Sequence, residues 1–120
     1  MSKEWDKVEE LVVHHVDDKE LAGEVMKILT NKNTAIWLDD DMLGFVSYTR
    51  LINMDRDVII TMQKDDIFSY SQWKILINLV NNRDKEIHIN SDPNNPTIVK
   101  LVDRLGGHWI GDDIVFPKKG

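Results

Sequence analysis

Two phenols, Tyr48 and Tyr70, are the chain's only tyrosines, and each could act as a general acid if its element carried it to a cleft. Packing against a core or a helix cap is the competing reading for both. Four histidines add imidazoles that can exchange protons near neutral pH. His14 and His15 are adjacent. On a strand they would face opposite sides and could not close on one metal, so ordinary surface or core-edge positions suit them better. If the strands carrying His88 and His108 are neighbours, one of the two could reach a cleft mouth. The carboxylate runs Asp39-Asp40-Asp41 and Asp112-Asp113 lack the spacing of a calcium loop and read as solvated turns. With no cysteine there is no thiolate nucleophile, no thiolate metal ligand and no disulfide. Gly-x-Ser-x-Gly, His-Glu-x-x-His and Walker patterns are also missing, so hydrolase, zincin and nucleotidase chemistry has no support. No metal site is expected.

The 120 residues suffice for one domain with one core, and we read 1–120 as that unit. The net charge of −6, with Lys and Arg scattered, argues against general binding to nucleic acid or an anionic membrane. No apolar run approaches a membrane span and no signal-like segment opens the chain, so the expectation is a cytoplasmic protein.

Trp5, Val8 and Val12 fit a helical stripe, but Leu11–Val16 is rich in β-branched residues and reads better as a strand. Asp17 or Asp18 then caps a helix whose apolar positions are Leu21, Val25, Ile28 and Leu29. Thr34–Leu38 and Leu43–Ile52 form a hairpin. Residues 57–62 form an unalternating apolar strand, as expected when both faces are covered. Ser69 and Gln72 have the capping-box spacing, followed by Trp73, Leu76, Ile77 and Val80 at helical period. The strand Glu86–Asn90 should run parallel to 57–62, since a helix intervenes. Asn95-Pro96 opens a helix with Ile98, Leu101, Val102 and Leu105 on its apolar face, and Gly106-Gly107 ends it. Trp109-Ile110 and Ile114–Phe116 make a last hairpin. The expected order is strand, helix, hairpin, strand, helix, strand, helix, hairpin: an α/β mixed sheet with helices on its faces.

This order resembles the GNAT superfamily of acyl-CoA N-acyltransferases over about residues 11–116. Three segments carry the likeness. Asp40–Tyr48 looks like the turn into a glycine-led strand, and Asp57–Asn90 like the central crossover. Asp92–Gly107 resembles the family's Asp-Pro-x-Asn-Pro and Leu-Gly patterns. The resemblance implies splayed parallel strands at the centre, an N-terminal and a C-terminal hairpin, and acetyl-CoA as substrate at the carboxyl ends of 57–62 and 86–90. The chain departs from the family in its first helical region, which reads as one helix where the family has two.

What the resemblance implies for individual residues follows the family's cleft. Backbone N–H groups near Met62 and Gln63 would polarise the thioester carbonyl, Lys64 would meet phosphate, and Ser69 would lie at the helix start beside it. Asn95 would contact the pantetheine arm as well as cap its helix. Tyr48 or Tyr70 would stand in for the family's acid, whose position is Val102 here. The phosphate loop departs from the family: Gln63–Gln72 has no glycine and carries Asp65 and Asp66, with Tyr70 and Gln72 at glycine positions. Two readings therefore stand. One is an N-acetyltransferase passing an acetyl group from acetyl-CoA to an amine. The other is an inactive GNAT-like domain that binds a protein partner or serves a structural role, like small phage-encoded GNAT-like proteins, some of them virion components.

Overall fold

The computed structural model describes residues 3–39, 41, 43–64, 69–90, 96–111 and 113–118. Two helices come first, α1 (Lys3–His15) and α2 (Lys19–Leu29). The hairpin β1 (Thr34–Leu38) and β2 (Gly44–Arg50) follows, then β3 (Arg56–Gln63), α3 (Tyr70–Asn81), β4 (Glu86–Asn90) and α4 (Pro96–Leu105). A second hairpin, β5 (His108–Ile110) and β6 (Asp113–Phe116), completes the order. The strands make one mixed sheet in the order β1-β2-β3-β4-β6-β5, with β3 and β4 parallel and every other neighbour antiparallel.

The first element corrects the sequence reading. Leu11–His15 is the last part of α1, and Val16 follows it, so no strand forms there. The reason is the tertiary stripe: Val8, Leu11 and Val12 are all buried, with Trp5 packed beside them. That burial outweighs the weak β preference of a short branched run. The first helical region thus holds two helices where one was expected. α2 is capped as anticipated, with Asp18 accepting from the Glu20 and Leu21 backbone N–H groups. Its buried face differs from the expected one: Ala22 and Leu29 are buried while Leu21 and Ile28 are exposed.

Strand alternation splits the core into two layers. Val46, Ile59, Ile87, Ile89, Ile114 and Phe116 pack under α3 and α4 with Leu76, Val80, Ile98 and Val102. On the other face Phe45, Ile36, Leu38, Ile60 and Met62 meet α1 and α2. β3 contributes to both layers, as its unalternating sequence predicts. The Cα radius of gyration is 13.8 Å, close to the ~13.6 Å expected of a compact chain this long. Trp37 lies on the edge strand β1 and is exposed.

Two close approaches fix the joints of the fold. A Cβ on Gly44 would lie 2.6 Å from Gln72 Nε2 and 2.9 Å from the Met62 carbonyl oxygen, so only glycine lets the start of α3 pack on β2. Gly106 ends α4 at φ 78°, the left-handed stop the sequence predicts, and Gly107 N–H returns to the Val102 carbonyl at 2.8 Å. No helix among the described residues is long and apolar enough to cross a membrane.

Candidate functional site at the carboxyl end of β3

Among the described residues, the parallel ladder between β3 and β4 is shorter than β3 itself. Its register runs from Arg56↔Glu86 to Ile59↔Ile89, while β3 continues through Ile60–Gln63 and remains paired with β2 to its end, at Gly44↔Gln63. Asn90 pairs with Asp113 of β6. Four residues of β3 therefore run past the last β3–β4 pair.

The direction of their backbone groups follows from alternation. Lys64 N–H donates to the Leu43 carbonyl at 2.7 Å, so 43 and 64 form a hydrogen-bonded pair across β2 and β3. The register then makes Phe45/Met62 and Ser47/Ile60 hydrogen-bonded pairs as well. Met62 accordingly turns its N–H toward β2. Thr61 and Gln63 turn theirs away from β2, toward the side on which β4 lies. The N–H groups at this end that could polarise a carbonyl are those of Thr61 and Gln63, while that of Met62 is committed to β2.

Gln63 is the most unusual residue of this end. Its backbone carbonyl accepts a hydrogen bond from His15 Nε2, brought there by the end of α1. Its side-chain Oε1 is buried and, among the described residues, has no hydrogen-bond partner. A buried acceptor left unpaired costs about 1–3 kcal/mol, so this atom is suited to a ligand N–H.

Next to it, α3 begins. Ser69 caps the helix: its hydroxyl accepts from Gln72 N–H at 3.2 Å, and Gln72 Oε1 accepts from Ser69 N–H at 3.0 Å. Gln72 is buried and extends its amide to the Phe45 carbonyl at 3.4 Å. Ser71 donates to Asp39 at 2.7 Å. Among the described residues, the N–H groups of Tyr70 and Ser71 have no recorded acceptor, and they carry the positive end of the helix. Tyr70 is 77% exposed, with the Lys74 ammonium 5.2 Å from its ring centre. Lys64 is exposed at the end of β3. Asn95, together with Asp65, Asp66 and Phe68, lies outside the described residues.

Tyr48 sits elsewhere. It stands opposite Ile59, about 13 Å along the strand from Gln63 at ~3.3 Å per residue. Its hydroxyl donates to Asp57, which is fully buried at the amino end of β3. Burial, and then the Asp57 carboxylate, push the Tyr48 hydroxyl well above the ordinary phenol range. Asp57 also accepts from Leu51 N–H at 3.3 Å and lies 3.9 Å from Lys85 Nζ, which donates to the Leu51 carbonyl at 3.4 Å. Tyr48 is thus part of a structural clasp that ties the β2–β3 turn to the start of β4. The structure does not bring it together with Tyr70.

His88 and His108 both stand opposite Val115, on one face of the sheet. They are two strand spacings apart, about 9.5 Å, and His88 is held by Glu86 at 2.5 Å. His14 and His15 follow one another on a helix, not a strand, with rings edge to face at 4.9 Å. Among the described residues no group of three or more His, Asp or Glu gathers around a common point.

Sequence reasoning selected Gln63, Lys64, Ser69 and Tyr70, and these fall at one end of the sheet. It missed His15 and Thr61. Thr61 was findable, because strand alternation alone separates it from Met62. No family model matches this chain, and a search of curated proteins returns no match.

Proposed function

We propose that this chain is a GNAT-like acyltransferase domain that binds an acyl-CoA thioester at the carboxyl end of β3 and transfers the acyl group to an amine. The observation that carries the reading is the buried, unpartnered Oε1 of Gln63 at the point where β3 outruns β4. An extended ligand carrying amide groups would place an N–H on that acceptor and a carbonyl on the strand N–H groups of Thr61 and Gln63. The carboxyl ends of parallel strands are where open α/β sheets take ligands. The adjoining start of α3, with Lys64 nearby, supplies positive potential for phosphate.

In this reading the amine attacks the thioester carbonyl carbon, and charge develops on its oxygen against the Thr61 and Gln63 N–H groups. The nitrogen gives its surplus proton to solvent as the C–S bond breaks, and the departing thiolate takes a proton from the Tyr70 hydroxyl, which regains one from solvent; Tyr70 is exposed at the head of α3. Most of the acceleration would come from holding amine and thioester together. The fold order and the early end of the parallel ladder support the GNAT comparison.

A second reading, an inactive domain that binds a protein partner, is favoured by one specific feature. The capping box uses the Ser69 and Gln72 N–H groups internally, and the Gln72 side chain is packed under β2. Among the described residues, the N–H groups of Tyr70 and Ser71 then remain at the helix start for phosphate.

Calorimetric titration with acetyl-CoA and with CoA separates the two readings. Micromolar binding weakened at least tenfold by Lys64→Ala is expected. No heat and no thermal shift at millimolar ligand would remove the acyltransferase reading.

A further inference from the structure

β1 forms one edge of the sheet, and its outer backbone groups are open. Asp39 N–H donates to the Gly44 carbonyl at 2.9 Å, and Arg50 N–H donates to that of Asn33 at 3.1 Å. With the β1–β2 register, Asn33, Ala35, Trp37 and Asp39 are therefore the residues that bond across to β2. Thr34, Ile36 and Leu38 turn their N–H and C=O groups outward. Thr34 N–H is taken by the Asn31 carbonyl at 3.0 Å. The outward groups of Ile36 and Leu38 meet no partner among the described residues. Nothing on the strand guards them, since Thr34–Leu38 holds no charge, proline or glycine. The opposite edge is better protected: β5 has only 3 residues, and Gly111 bends the chain directly after it at φ 62°.

Unpaired donors and acceptors along an extended segment are complementary to another extended segment, and β1 fits a second β1. In an antiparallel pair related by a two-fold axis at Trp37, Ile36 stands opposite Leu38 of the other copy. Every open backbone group of Ile36 and Leu38 is then paired on both strands. An axis at Ile36 would set Leu38 opposite Thr34, whose N–H is already committed, and would leave the Leu38 carbonyl unmet. The side chains agree with the first register. Exposed Trp37 meets Trp37 of the other copy at a non-hydrogen-bonded position, with Cα atoms about 4.5 Å apart, and cross-strand aromatic pairs are favourable. On the other face, Ile36 and Leu38 line a hollow of about 220 Å³ with Trp5, Val8 and Leu29, and Leu38 and Ile36 of the second copy come beside it. Antiparallel pairing also sets the strand end carrying exposed Lys32 against the end carrying Asp39 and Asp41. In a chain of net charge −6, an uncharged strand with opposite charges beyond its two ends lets two copies meet without like charges facing.

We propose that the protein is a two-fold dimer in which β1 pairs antiparallel with β1 of a second copy, Trp37 on the axis, so that two 6-stranded sheets become one continuous sheet. The axis stands perpendicular to the sheet, so the α1–α2 layers of both copies lie on the same side and flank the junction. The contact is isologous, closes at two copies, and removes the open β1 edge of both at once. This inference does not rest on the acyltransferase reading.

Sedimentation of the full chain from micromolar to millimolar concentration tests it. The wild-type mass is expected to reach twice that of the monomer and go no higher. Ile36→Pro removes an N–H that makes no bond to β2, and Trp37→Lys puts like charges on the axis. Each should raise the dissociation constant roughly tenfold or more with an unchanged circular dichroism spectrum. Should Ile36→Pro fail to fold, Trp37→Lys, which alters an exposed side chain, carries the test. The chain has no cysteine, so single cysteines read the register. Trp37→Cys should link two copies through a disulfide when an oxidant is added. Ala35→Cys, about 13 Å along the strand from the same residue of the other copy, should not. A wild type that stays monomeric at millimolar concentration, an association that passes two copies or ignores the substitutions, or cross-linking at 35 in place of 37 would each overturn the proposal.

Discussion

His15, the last residue of α1, donates from its Nε2 to the backbone carbonyl of Gln63, the last residue of β3. The contact spans 48 residues of sequence. It joins the end of the first helix to the carboxyl end of β3. The imidazole must carry its proton on Nε2 to donate. His15→Ala should therefore cost about 1 kcal/mol, a drop of about 4 °C in Tm for a chain this size. His15→Gln, which keeps an N–H donor, should recover part of it. A His15→Ala variant melting with the wild type would show that the contact contributes nothing.

This contact also marks the limit of what the sequence discloses. Elements with a strong local signature were legible: the Ser69–Gln72 capping box, the Asp18 cap and the Gly106 stop all form. The parallel pairing of β3 with β4 followed from the intervening helix. Leu11–Val16 was misread because β-branched content is a local signal, whereas the burial of Val8, Leu11 and Val12 under the sheet is a tertiary one. Likewise Tyr48 carried no sequence mark of its tie to Asp57, which depends on the β2–β3 register. At the candidate site, Gln63, Lys64 and Ser69 were singled out only through resemblance. The orphaned Gln63 Oε1 depends on packing and could not be read.

Gln63 should separate stability from binding. Gln63→Leu removes a buried acceptor that has no partner, so the unliganded protein should be unchanged or stabilised by about 1 kcal/mol. Acetyl-CoA binding should fall at least tenfold. Chemical denaturation and calorimetry on the same variant read both effects. A destabilised variant, or one with undiminished binding, would contradict the role given to this atom.

The Tyr48–Asp57 clasp predicts a pH dependence. Tyr48 has its folded-state pKa raised by burial and by Asp57. Its contribution to stability is thus fully present below the unfolded phenol value of about 10. It is lost as pH rises through the folded value. In a Tyr70→Phe background Tyr48 is the only phenol, and its ultraviolet ionisation signal should lag a free tyrosine until the protein unfolds. Tyr48→Phe should cost about 1–2 kcal/mol at neutral pH and flatten the alkaline loss of stability. Asp57→Ala should cost about 3 kcal/mol, since it breaks a buried charged network.

Gly44 tests the joint between β2 and α3. Gly44→Ala places a methyl 2.6 Å from Gln72 Nε2 and 2.9 Å from a backbone oxygen, so a loss of about 1–3 kcal/mol is expected. The double variant with Gln72→Ala should be less destabilised than the sum of the two singles, because one obstruction is removed. Strict additivity in thermal denaturation would mean that the two residues do not share this space.

An amide NMR titration of the folded protein with acetyl-CoA reads whether the carboxyl end of β3 takes an acyl thioester. Shifts concentrated at Thr61, Gln63, Tyr70 and Ser71, with the Tyr48–Asp57 clasp unmoved, are the predicted result. No shifts at millimolar acetyl-CoA, or shifts confined to the groove between α3 and α4, would contradict it.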